Sequence, residues 1–445
     1  MKRSFWLALV LALALVAAAC GDDDDDGGDA ADTGDGTEQT EPDTGDDAGD
    51  GGDDDAGEDA AGDDGTDDGG EAAGPGALDL DAVLEVDLDD CEEPSGEPLV
   101  VGYAADKSEV GGFVDIPGSQ AASLFVDMVN CAGGVDGTPV EYVEQDIQGD
   151  PEVTQRAAQD LIDAGAHVIL GPPFADFGQP LLQVTGGEVP VLFVASTEPI
   201  LPDPGALSFL VTFDDTRQAE VAAQWAIDQG FERAVTFSSP GPYFGYNPEV
   251  FTGAFEAEGG EVVANFSYVP FEDTDFSAQV NELAGVAEGD EVLYSAMIAD
   301  QMSILRGQLL EAGVDLQFLG ADASEATGIL AVDNNEGVAY TTHAFVEPGS
   351  RLERFLERFE EVNGEAIENS SFGGLAVDAV IVAIEGFVQS GSTDPSEIGA
   401  AIAEISGLET LTGTIGYAGT TGVPDKPVFV HQIVDGEVTL SATFE

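Results

Sequence analysis

The chain has 445 residues, more than one hydrophobic core usually carries, so two lobes plus appendages are the expected organisation. Its 11 Lys and Arg stand against 89 Asp and Glu, a formal net charge of −78 that excludes nucleic acid or an anionic membrane surface as a partner. The segment from Gly21 to Gly76 carries 24 of those 89 acids and no Lys or Arg, so the part beyond it is also strongly acidic.

Residues 1–20 read as an export signal. Lys2 and Arg3 precede an unbroken apolar run from Phe5 to Ala19, shorter than the roughly 20 residues that a bilayer-spanning helix needs. The run ends in Val16-Ala17-Ala18-Ala19-Cys20, small residues directly before a cysteine, which resembles the lipobox of bacterial lipoproteins. That resemblance implies lipidation of Cys20 and anchorage at the outer face of the cytoplasmic membrane; the alternative is a merely cleaved signal. Residues 21–76 are almost all Asp, Gly, Ala, Thr and Glu, with no aromatic side chain. Such a tract buries too little surface to offset chain entropy, and the spacing predicts a disordered acidic tether whose ends lie on the order of 40 Å apart. No Asp run in it is followed by Gly and Glu at EF-hand spacing.

A lead-in segment, 77–98, contains Cys91, whose only remaining counterpart is Cys131. An exported chain with one such pair favours a disulfide, here fastening the lead-in to the first helix. From Pro98 strands and helices alternate. Strand 99–104 leads through Gly111-Gly112-Phe113 to a helix over 120–130, a strand over 140–145 and a helix over 154–164. Val168-Ile169-Leu170 and Val189 to Val194 are apolar runs of the kind found in parallel strands covered on both faces. Each breaks off into a small-residue loop, Gly171 to Gly178 and Ala195 to Pro199, where an open α/β sheet binds its ligands. A second series follows Asp214: helices over 218–229, 249–258, 277–283 and 304–312, and strands over 234–238, 261–268, 291–295 and 317–320. The pattern predicts an α/β protein with two parallel sheets, each with helices on both faces.

Several short motifs carry a closer likeness. They are Ala132-Gly133-Gly134-Val135-Asp136-Gly137, Gly149-Asp150-Pro151, Ser196-Thr197-Glu198-Pro199, Phe244-Gly245, Thr274-Asp275-Phe276-Ser277, Phe318-Leu319-Gly320-Ala321-Asp322, Gly373 to Ala379 and Gly391 to Pro395. Their order over the stretch from Leu99 to the C-terminus resembles the solute-binding proteins of type I periplasmic-binding fold, in the leucine/isoleucine/valine branch of ABC importer receptors. The resemblance implies two doubly wound parallel-sheet lobes joined by a three-crossing hinge. The crossings are expected near 212–214, 344–346 and 414–416, giving a first lobe of 98–212 and 347–414 and a second of 213–346 and 415–445.

The same resemblance implies the site. In amino-acid receptors of the family a serine of the first strand-end loop, with backbone N–H and a threonine of the second, holds the solute carboxylate. Ala195, Ser196 and Thr197 keep the second set, whereas Ala175 stands where the serine is expected. Asp322 occupies the place of the acid that meets the solute amine, with helix N-capping as the alternative. Phe244 and Met297 replace tyrosines that pack on the solute, and Phe113, Phe174, Phe177, Tyr243 and Tyr246 are further aromatic candidates, the alternative being sheet-edge packing.

No enzyme constellation emerges. His167, His343 and His431 are far apart in sequence and read as ordinary packed or surface residues, and Gly-x-Ser-x-Gly, Walker and zinc-type spacings are all missing. Asp214-Asp215 is the one acidic pair that an unrecognised hydrolase could use. What the resemblance implies is capture of an amino acid or amide-like solute between two lobes and its delivery to an ABC permease, by a monomer without cofactor or metal. The alternative is a sensor of the same fold that feeds a signalling receptor.

Overall fold

The computed structural model describes residues 76–92, 94–325 and 335–445, so Cys20 and the acidic tether lie outside the described residues. The lead-in forms a short helix, α1 (Leu80–Leu84), that the sequence did not announce. Asp79 caps it, and its Leu80, Val83 and Leu84 join the first lobe's core. Cys91 and Cys131 are disulfide-bonded with Cα atoms 5.2 Å apart.

The first sheet is parallel throughout, built from β1 (Leu99–Ala105), β2 (Val140–Asp146), β3 (Val168–Gly171), β4 (Val191–Phe193) and β5 (Ser208–Leu210) in the order β2-β1-β3-β4-β5. Alternate residues of β1 serve different cores, with Leu99, Val101 and Tyr103 on one face and Val100 and Ala104 on the other. A strand buried on both faces reads as a continuous apolar run. Helices α2 (Gly112–Cys131), α3 (Pro151–Asp163) and α4 (Ala175–Thr185) connect these strands. The expected start of α2 at 120 falls two turns late, because Pro117 and Gly118 look like breakers in sequence. In the fold Gly118 lets the helix close on β1, where an added Cβ would sit 3.1 Å from the Tyr103 hydroxyl. Asp150 caps α3 and Pro151 is its first residue, so this motif is a helix start.

The chain then enters a second sheet of seven strands. These are β6 (Arg233–Ser238), β7 (Glu261–Ser267), β8 (Val292–Ser295), β9 (Gln317–Gly320), β10 (Ala339–Thr342) and, from the far end of the chain, β13 (Val428–Val434) and β14 (Glu437–Phe444). Their order is β14-β13-β10-β9-β8-β6-β7. The last two pair antiparallel, β13 on β10 and β14 on β13. Helices α5 (Asp215–Asp228), α6 (Tyr246–Ala257), α7 (Ser277–Val286) and α8 (Ala299–Glu311) cover it. Between β10 and β13 the chain returns to the first lobe as α9 (Arg351–Asn363), α10 (Ser370–Ser390), α11 (Pro395–Ile402) and a small hairpin, β11 (Leu408–Glu409) with β12 (Thr414–Ile415). The 21-residue α10 is apolar nearly all round because it is the core helix of that lobe.

Core membership locates the crossings. Val211 lies in a first-lobe core and Phe213 in a second-lobe core, which puts the first crossing at Thr212. Ala344 is already in the first lobe's core, so the second crossing is His343. The third comes later than the expected 414–416. Tyr417 is buried in the first lobe and donates its hydroxyl to the Leu210 carbonyl at 2.7 Å. Lys426 makes a buried ion pair with Asp378 of α10 at 3.0 Å, and Val428 lies in a second-lobe core, so the chain crosses at Pro427.

Candidate functional site

The carboxyl ends of β3 and β4 face those of β6, β8 and β9 across the hinge, and a small mixed cluster fills the gap. Tyr243, Ala296, Ala321 and Ala323 of the second lobe meet Phe113 and Phe174 of the first. Behind it lies a cavity of about 20 Å³, lined among others by Phe113, Phe174, Ala195, Ser196, Thr197, Glu198, Tyr243, Asp322 and Phe372. That volume admits little more than a water molecule. The two lobes are thus closed on each other.

Phe174 is the largest part of that closure. Its ring lies 5.8 Å from Tyr243, 5.7 Å from Phe244 and 6.1 Å from Phe271, all of the second lobe, at tilted or edge-on angles favourable to aromatic pairs. The backbone of Phe174 has φ +65°, a conformation that costs a non-glycine residue on the order of 1–3 kcal/mol. The side chain packs both against the first lobe's core and across the cleft.

Asp322 follows β9 in a short 3-10 turn, Asp322–Ser324. It is 4% exposed, and among the described residues its carboxylate caps no helix. Oδ1 accepts from the Tyr243 hydroxyl at 2.6 Å and from Gln218 Nε2 at 2.9 Å, and Oδ2 lies 3.2 Å from His343 Nε2. Burial pushes its pKa up, but His343, Tyr243 and Gln218 outweigh burial and hold it below the ordinary carboxylate value. His343 in turn bonds through Nδ1 to the Thr212 hydroxyl at 2.9 Å and stacks on Phe213 at 4.7 Å. Two hinge crossings and the second lobe's acid are therefore wired through one imidazole. His343 is no ordinary packed histidine, and nothing in its sequence neighbourhood signalled this.

On the first lobe's side two further acids stand close by. Glu198 is 1% exposed and accepts the Ala175 N–H at 2.8 Å through Oε1, so it occupies the N-terminus of α4. Burial, followed by its ionisable neighbours, pushes its pKa up to about 7. Asp215, the first residue of α5, is fully buried and also raised, by burial first and then by the charges of Glu198 and Asp322. It ties the lobes together: Thr197 Oγ1 donates to Asp215 Oδ1 at 2.7 Å, and the Asp215 N–H donates to the Thr197 carbonyl at 2.7 Å. Asp215 shares its Oδ1 with Gln218 Nε2 at 2.8 Å, which links it to Asp322 as part of one hydrogen-bonded network.

The expected site residues therefore separate. Ala195, Ser196, Thr197, Phe113, Phe174, Tyr243 and Asp322 come together at the cavity. Met297 does not: its side chain is buried in the second lobe's core, and only its carbonyl turns to the site region, accepting from Ser324 Oγ at 2.8 Å. Phe244 shuts the mouth with Phe174 and lies outside the cavity wall, and Ala175 contributes its N–H to Glu198. The Ser196 hydroxyl donates back to the Pro172 carbonyl at 2.9 Å. Phe177 is in the first lobe's core, and Tyr246 pairs with Thr216 at 3.0 Å. Glu198, Gln218, His343 and Phe372 were missed. Glu198 and Asp215 were visible only as members of a motif and of an acidic pair. Among the described residues no group of three or more His, Cys, Asp or Glu could hold a metal ion.

This geometry, two α/β lobes closed over a site at their facing strand ends, agrees with the comparison to known families: residues 98–437 match the periplasmic binding protein family. The chain belongs to the periplasmic binding protein family. Its members bind solutes without transforming them, in line with the missing catalytic constellation. A curated relative of this binding protein, the leucine-, isoleucine-, valine-, threonine- and alanine-binding protein of Pseudomonas aeruginosa, is 25% identical over 301 residues, spanning 66% of this chain and 79% of its own. A leucine-binding protein of Thermotoga maritima superposes with a TM-score of 0.68 at 20% identity, over 78% of this chain and 99% of its own. A solute-binding protein of an ABC transporter from R. palustris, in complex with benzoate, gives the same TM-score of 0.68 at 17% identity, over 78% and 96%. The periplasmic-binding fold of this chain is thus shared with proteins whose named ligands differ in charge and shape.

Proposed function

We propose that this binding protein is the extracytoplasmic receptor of an ABC importer, which captures a small amino-group-bearing solute between its lobes and hands it to a membrane permease. The observation that carries this reading is Asp322. It is a buried carboxylate held ionised by three hydrogen-bond partners, on the second lobe's side of a cavity whose other wall is Ala195 to Glu198 of the first. A solute whose ammonium meets Asp322 while its body touches the first lobe binds the closed arrangement better than the open one, and so shifts the population toward closure. The relatives named for leucine, isoleucine and valine support an amino acid or a similar small polar molecule as the solute. The lipobox-like Val16 to Cys20 supports a lipid anchor at the outer membrane face, with the acidic tract as its tether.

The test is native mass spectrometry of freshly purified protein, followed by calorimetry with whatever molecule is released. A single small molecule that carries an amino group is expected, bound at least tenfold more weakly by Asp322→Asn. A released solute that Asp322→Asn binds as tightly as the parent does would remove Asp322 from the site.

A further inference from the structure

We propose that the cleft selects a small organic cation that carries no carboxylate. This rests on the solute-binding reading above and narrows its solute class. The cavity wall supplies aromatic rings, from Phe113, Phe174, Tyr243 and Phe372, and its charged side chains are Glu198 and Asp322; among the described residues no Lys, Arg or His lines it. Rings and acids without a basic residue complement a cation, through the ring faces and through ion pairing.

The wall's donors lead to the same class. The Ser196 hydroxyl donates to the Pro172 carbonyl, the Thr197 hydroxyl to Asp215 and the Tyr243 hydroxyl to Asp322. The Ala175 N–H, at the N-terminus of α4, donates to Glu198. Every side-chain donor on the wall is thus engaged with a protein oxygen, and the helix terminus that could receive an anion already holds the protein's own carboxylate. An arriving carboxylate would meet two acids and no basic side chain, in a closed and poorly solvated space where like charges are costly.

One acid just behind the wall is under-satisfied. Asp215, which accepts from the wall residue Thr197 through Oδ1, leaves its buried Oδ2 without a hydrogen-bond partner. A buried carboxylate oxygen left this way is complemented by an ammonium N–H. The ionisable neighbours of Glu198 are Asp176 on α4, Asp215 on α5 and Asp322 after β9, all acids, and the nearby His343 is engaged by Asp322 and Thr212.

Size-matched pairs test the proposal on the intact chain after extensive dialysis: leucine against isoamylamine, and alanine against ethylamine, each amine being the amino acid without its carboxylate. Calorimetry at pH 8 should show each amine binding at least tenfold more tightly than its amino acid. Glu198→Gln should weaken the amines at least tenfold without weakening leucine. Should that variant fail to fold, the unmodified protein gives the same information, because amine affinity should rise as pH passes through about 7 and Glu198 ionises. An amino acid bound as tightly as its amine, or amine affinity flat across that range, overturns the cation while leaving solute capture intact. If neither pair binds, the cation proposal falls, and the mass of the co-purified solute decides the broader reading separately.

Discussion

Glu198→Gln should make the solute-free protein more stable at neutral pH. Glu198 is buried, and its pKa rises from 4.5 to about 7 in the folded protein. A carboxyl whose folded pKa lies above its unfolded one binds more protons when folded, so its contribution is most favourable below about pH 4.5. Stability is lost as pH rises toward 7, and the loss levels off above that. A shift of this size corresponds to about 3 kcal/mol on the scale of 1.36 kcal/mol per pKa unit. Glutamine keeps an oxygen for the Ala175 N–H and removes the buried charge, so the variant avoids the loss. Urea unfolding of parent and variant at pH 4.5 and pH 8 reads the effect: the variant's advantage should grow by about 3 kcal/mol between the two. An advantage that does not change with pH, or a variant less stable at pH 8, would refute the assignment of Glu198 as a destabilising buried acid. The expected result also has a functional side, since a group that weakens the empty protein while lining its cleft is explained by what it binds.

Three further outcomes follow from the same structure. Asp322→Asn should weaken solute binding by about 30-fold to several thousand-fold, the cost of removing one member of a buried charge pair. Its melting temperature should stay near the parent's, because the amide oxygen can still accept from Tyr243 and Gln218, whereas Asp322→Ala strands those donors at about 1–3 kcal/mol each and should melt earlier. The Cys91–Cys131 bond spans 40 residues and should stabilise by roughly 4 kcal/mol on the chain-entropy account, so reduction should lower the unfolding midpoint, and thiol labelling of the unreduced, denatured chain should find neither cysteine. Cys20→Ser should release the protein from the membrane fraction, and equal retention of both forms would remove the lipid anchor.

Local pattern determined the architecture of this protein. Apolar runs such as Val168 to Leu170, buried on both faces, can only be inner strands of a covered parallel sheet, and the alternation of such runs with amphipathic helices fixes two α/β lobes. The sequence also placed Asp322, Thr197 and Phe174 at strand ends, because strand ends are where an open sheet leaves its polar groups free. What it left undecided depends on contacts between residues distant in the chain. His343 becomes a hinge centre only because Thr212 and Asp322 converge on it, 131 and 21 residues away. The third crossing moved from 414–416 to Pro427 because Tyr417 and Lys426 find partners in β5 and α10. Met297 lies one residue from the cavity's second-lobe cluster yet faces the core, since the turn after β8 decides which side chain points inward. Glu198 reads in sequence as one acid among 89, and its burial beside the cleft, which raises its pKa although the Ala175 N–H at the N-terminus of α4 opposes the shift, arises only when two loops from different strands meet.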